Sequence, residues 1–231
     1  MKRFYKEVTT AEQEGGWRVL LDGRPIKSVG GRLQLVPTGP LAEALAAEWA
    51  GQGEEISAAA FILRDMADYA IDVVGPDRDI AIRQILPYGE TDTLCYRADP
   101  GEALRRRQDA VWEPLLTAAE QRLDVRFERI AGIIHRPQPA ATQMRLETVL
   151  TSHDDFTLAA LRTLAGLAAS LVIGLAALED SANVPALWDA ANLEEDWQAE
   201  LWGKDAEAEA HRARRSETFA AAARFAALAR E

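Results

Sequence analysis

The sequence predicts an α+β protein, with a mixed, sheet-containing domain over residues 1–88 and a helical bundle over 89–231. Three observations carry that prediction. From Lys2 to about Val36 the chain alternates short apolar runs, FYKEV, WRVLLDG and RLQLV, with breaks at Gly15-Gly16 and Gly30-Gly31, the pattern of antiparallel strands and turns. At Gly39-Pro40 the apolar period changes to a helical one, and from Arg145 onward it is helical almost throughout.

Each element follows from its punctuation. Leu41, Leu45 and Trp49 share one face of a helix that Pro40 opens and Gly51 closes. Leu63, Met66, Ala67, Ala70, Ile71 and Val74 mark a second helix, ended by Gly75-Pro76, and a shorter one is expected from Arg78 to Leu86, before Pro87. Leu104, Val111, Trp112, Leu115, Ala119 and Leu123 predict a long helix bent near Pro114. An extended stretch over 124–138 is expected to be able to rejoin the N-terminal sheet. Phe156 to Leu178 is the most apolar stretch, but Arg162 leaves only 16 uncharged residues, Thr163 to Leu178, so it reads as a buried core helix rather than a membrane span. Asp154 or Asp155 is its expected N-cap.

Charge and composition narrow the function. With 231 residues and 48% hydrophobic content the chain can build a sizeable core. Its 37 acidic and 26 basic side chains give a formal charge of -11, which repels phosphate backbones and anionic headgroups, so neither nucleic acid nor membrane is an expected partner. The single cysteine, Cys95, allows no internal disulfide framework and fits a reducing compartment. MKRFYKEV runs charged into a strand without an apolar leader, so the chain reads as cytoplasmic and presequence-free. The charge and the lack of a heptad seam suggest a monomer.

No phosphate loop, H-E-x-x-H or G-x-S-x-G motif occurs, so neither cofactor nor catalytic group is expected. His135, His153 and His211 lie far apart with no second ligand at metal spacing, and no metal site is expected. His153 reads as part of a helix start, and Cys95, inside LCY, as a buried inert thiol. One enzyme reading stays open: Asp92, Tyr96 and Arg97, close together in TDTLCYR, could orient a polar substrate.

The strongest binding signal is LEEDWQAELWGKDAEAE, Leu193 to Glu209, with seven acidic residues against Lys204. Glu194 and Glu195 are adjacent, so on a helix they diverge and make a poor acid-base pair. Trp197 and Leu201, spaced i, i+4, continue the stripe of Leu187 and Ala190, so Trp197 reads as core, whereas Trp202 falls beside the Gly203 stop. Glu195 and Asp205 are the expected polar contacts to a partner and Trp202 the apolar anchor. Trp49 is a second candidate, though its stripe also fits packing, and Asp22 and Arg24 of LDGRP fit a turn.

Six blocks in order, RFYKEV (3–8), LDGRPIK (21–27), LAEALAAEW (41–49), ILPYGETDTLCYRA (85–98), QDAVWEPLL (108–116) and LEEDWQAELWGKDAEA (193–208), resemble the assembly chaperones for the α subunit of F-type ATP synthase. The chain departs from the family pattern at Ile26-Lys27-Ser28-Val29 and at Phe61-Ile62. The resemblance implies an N-terminal mixed domain and a C-terminal orthogonal helical bundle. It also implies binding of unassembled α subunit, protection from aggregation, displacement by β, and no ATP hydrolysis. A permanent scaffolding subunit is the remaining alternative.

Overall fold

The computed structural model describes every residue of the chain except Ile133. The N-terminal sheet begins with β1 (Val8–Gln13), β2 (Gly16–Leu21) and β3 (Arg24–Pro25), antiparallel in that order with Val8 opposite Leu21 and Leu20 opposite Pro25. Asp22 and Gly23, with φ of 47° and 75°, close the β2–β3 hairpin in the left-handed region that an Asp-Gly pair tolerates.

Helices follow. They are α1 (Gly39–Ala50), α2 (Ile62–Tyr69), which runs into a π-helical turn at Ala70–Val74, α3 (Arg78–Ile85) and α4 (Pro87–Glu90). Next come β4 (Tyr96–Arg97), α5 (Ala103–Leu123), β5 (Ile130–Ala131), α6 (Ala140–Ser152), α7 (Asp155–Ala168), α8 (Leu171–Ala176), α9 (Val184–Ala191), α10 (Leu193–Trp202) and α11 (Ala206–Leu228). The fold is α+β, small N-terminal sheets followed by helices. No helix among the described residues is long and apolar enough to cross a membrane.

By packing the chain forms two compact units. The first is Met1–Ala81 with Asp154–Ala160 and Ala221–Glu231; the second is Ile82–His153 with Leu161–Ala220. A single cut near residue 88 therefore does not describe the packing, because two later segments join the first unit.

In the first unit α1 covers the sheet and buries Leu41 and Leu45 with Val19 and Val36. Thr38 caps α1 by accepting from Leu41 N, as an N-cap hydroxyl should. The N-terminus of α2 lacks a side-chain cap of its own, and the Glu48 carboxylate of α1 accepts from Leu63 N (2.7 Å) and Arg64 N (2.9 Å) instead. Asp68 and Asp72 hold the loop after β3: Ser28 Oγ and Gly30 N donate to Asp72, and Gln34 Nε2 donates to Asp68. Phe156 stacks on Phe225 with ring centroids 6.2 Å apart.

In the second unit α5 is the central element. Trp112 is fully buried and donates its indole N–H to Ala190 O at 2.8 Å. Pro114 lies inside an uninterrupted α5. The long apolar helix expected over 156–178 is instead two: Ala169, at φ 47°, leaves the helical region, its carbonyl accepts from Thr93 N and Oγ1, and Ser170 caps α8 through Ile173 N. No glycine or proline marks that break, so it depends on long-range hydrogen bonds. The stretch after residue 124 does not rejoin the N-terminal sheet either. Its β5 pairs in parallel with β4, Tyr96 opposite Ile130, while Ile133 of the same stretch lies outside the described residues.

Candidate functional site

The acidic cluster forms α10 and the start of α11. Glu194, Glu195 and Asp196 fall in the first turn of α10, where carboxylates oppose the positive helix end. Gly203, at φ 91°, ends α10, and Asp205 starts the next helix by accepting from Ala208 N at 2.8 Å. Asp154 does the same for α7, accepting from Thr157 N and Oγ1.

Most of these carboxylates already have partners. Arg107 makes two hydrogen bonds to Glu200, at 2.6 and 2.8 Å, which hold the Glu200 carboxyl below its ordinary range. The same guanidinium lies 5.7 Å over the Trp197 ring. Gln108 donates to Glu194, Arg212 pairs with Asp196, and Arg215 approaches Glu195 at the longer distance of 3.6 Å. Lys204 pairs with Glu209 at 2.6 Å, and that contact raises the lysine pKa.

Between α10 and α11 lies an open groove of about 480 Å³, which Glu195, Trp202 and Asp205 line together with Arg212 and Arg215. Trp202 is 78% exposed and its neighbour Leu201 57% exposed, an outlay of apolar surface at a helix end with no internal use. Trp197, expected in the core, is thus only half-buried, because α10 buries little beyond Leu193. Arg212 and Arg215 were not singled out from sequence; the only available signal was the basic run HRARR after the acidic block.

Trp49 is not part of this groove. It belongs to the first unit, where its ring packs against Phe61 (4.5 Å between centroids) and Tyr5 (5.6 Å), and its carbonyl accepts from Tyr5 Oη.

The region of Asp92, Tyr96 and Arg97 is closed. Asp92 is fully buried and caps two segments, accepting from Leu94 N (3.1 Å) and Val172 N (2.9 Å); desolvation raises its carboxyl to about 6. Arg97 is buried and donates to Leu94 O, Asp109 and Glu113. Tyr96 Oη meets His135 Nδ1 at 2.9 Å, and the other ring nitrogen of His135 lies 3.6 Å from Glu90. Burial pushes the Cys95 thiol well up. The three residues serve internal contacts and do not present a common surface to a substrate. Among the described residues no three His, Cys, Asp or Glu gather as a metal site.

The open groove, bordered by exposed apolar side chains, is the surface of the described residues best suited to a protein partner. The comparisons with known proteins name the family. A model described as ATP12 chaperone protein matches residues 2–120. "Protein atp12, mitochondrial" of Schizosaccharomyces pombe is 26% identical over 194 residues, 79% of this chain and 67% of that protein. The crystal structure of Atp12 from Paracoccus denitrificans is 38% identical, with a TM-score of 0.91 over 99% of this chain and 98% of that one. An aspartate-to-lysine mutant of P. denitrificans Atp12p is similar at 38% identity and TM-score 0.91, over 99% and 97%. The chain belongs to the ATP12 chaperone family, the ATP synthase assembly chaperones that its sequence blocks resemble.

Proposed function

We propose that the protein binds the unassembled α subunit of F-type ATP synthase through the α10–α11 groove, keeps it from aggregating, and releases it when the β subunit takes its place. The observation that carries this reading is the exposure of Trp202 and Leu201 at the end of a helix that borders a groove lined by Glu195 and Asp205. A ring subunit without its neighbours presents apolar interface, and an exposed Trp with a polar rim is suited to cover it.

The ion pairs suit a temporary grip. Glu195 is 58% exposed and meets Arg215 only at 3.6 Å, beyond a normal hydrogen bond, so a basic group of the client can compete with that arginine for the carboxylate, and the displaced Arg215 returns to water. Such an exchange limits net affinity, which favours release to a better partner. The same reading places the protein in the cytoplasm, as a monomer when free.

Co-purification with α and β presented separately tests the proposal. Capture of α alone, lost on addition of β, is the expected result. Indifference to α sinks the proposal, and a stable place in assembled ATP synthase at fixed stoichiometry replaces it with a scaffolding role.

A further inference from the structure

The first unit carries a second pocket whose charge is opposite to that of the acidic segment. It lies at β3, the edge of the three-stranded sheet, and has a volume of about 510 Å³. Phe4, Leu21, Ile26 and Trp49 supply its apolar lining, and Arg24 and Lys27 stand at its rim. Phe4 is 64% exposed, an aromatic ring left in water at the mouth of an apolar cavity.

The polar inventory is unbalanced. Asp22 is the one carboxylate among the described lining residues, and it is already taken: Oδ1 accepts from Lys6 N at 3.0 Å and Glu7 N at 2.8 Å, and these backbone donors lower its pKa. Arg24 and Lys27 make no ion pair among the described residues, in a chain whose formal charge is -11. Trp49 lines the pocket with its ring, and its indole N–H is itself buried without an acceptor.

An apolar floor and two unpaired cations are complementary to an apolar side chain flanked by carboxylates. A pocket at a strand edge admits such a side chain from an extended chain, because alternate residues of a strand point to the same side. We infer that this pocket is a peptide-docking site for an extended segment of a partner protein that carries an aromatic or large aliphatic residue next to Asp or Glu. The inference does not depend on what the α10–α11 groove binds.

The test uses the full chain and the peptide Ala-Glu-Phe-Asp-Ala, blocked at both ends. Its controls are the charge-inverted Ala-Lys-Phe-Lys-Ala and the apolar-deleted Ala-Glu-Ser-Asp-Ala, and binding is followed by NMR at the tryptophan indole N–H resonances. The acidic peptide is expected to shift the Trp49 resonance in a saturable way and to bind about tenfold more tightly than either control, the effect of one charge-assisted contact or one buried aromatic ring. The double substitution of exposed Arg24→Glu and Lys27→Glu is expected to reverse the charge preference. Equal binding of acidic and inverted peptides overturns the inference, as does a preference that survives the double substitution or a shift confined to Trp202. Should the double variant fail to fold, Lys27→Gln alone must weaken the acidic peptide severalfold; unchanged affinity there overturns the inference equally.

Discussion

Residues 92–97 and residues 195–205 are both crowded with polar and ionisable groups, yet the two regions use them in opposite ways. In the first, Asp92 and Arg97 are turned inward. Asp92 caps backbone N–H groups and Arg97 pairs with Asp109 and Glu113, so both side chains serve internal contacts. In the second, the carboxylates are paired along a surface while Leu201 and Trp202 stand in water. A cluster of ionisable residues therefore does not announce a site by itself; what separates scaffold from interface is whether apolar surface is left exposed beside it.

That contrast predicts large stability effects in the first region and small ones in the second. Arg97→Ala removes a buried guanidinium and the donor to the Leu94 carbonyl, while Asp109 keeps Arg105 and Glu113 keeps Arg129, and it should lower unfolding free energy by about 1 to 3 kcal/mol in urea denaturation. A loss below about 1 kcal/mol would place Arg97 outside the scaffold.

Asp92 gives a pH signature. Desolvation lifts its carboxyl from 3.8 to about 6, so the folded chain holds that proton more tightly than the unfolded chain. Its contribution is greatest below about pH 4 and is lost as pH rises toward 6, a span of about 3 kcal/mol. Asp92→Asn should flatten that part of the stability curve, and an unchanged slope between pH 4 and 6 would show that Asp92 is not the responsible group.

Asp205 sits between the two extremes, because it is both a helix cap and a groove residue. Asp205→Ala should cost about 1 kcal/mol, and Asp205→Ser, which keeps a capping oxygen, only a few tenths. If the serine variant is stable but holds its client less well, the charge acts in binding. If both properties are preserved, Asp205 only caps.

Much of this fold was legible locally. Pro40 and Gly51 bracket α1 as expected, and the stripe from Leu63 to Val74 became α2 with its π-helical continuation. The failures share one cause, which is information carried by residues distant in sequence. The break at Ala169 depends on Thr93, the pairing of β5 depends on β4, and the N-terminus of α2 is capped from Glu48. The candidate groove was half legible for the same reason. Its acidic wall lies in one continuous block, whereas Arg212 and Arg215 face that wall only because Gly203 ends α10 and Asp205 starts α11. The exposure of Leu201 could not be read from its spacing, since the helical stripe continues past the point where neighbours run out.

The smallest expected effect on stability belongs to the central claim. Trp202→Ala and Glu195→Lys alter exposed side chains, 78% for Trp202 and 58% for Glu195, and each should change unfolding free energy by no more than about 0.5 kcal/mol. The decisive measurement is light scattering of purified α subunit with the wild-type chaperone and with these two variants. Loss of protection by both variants, with folding intact, is the predicted result; full protection by both would show that the α10–α11 groove is not where the client is held.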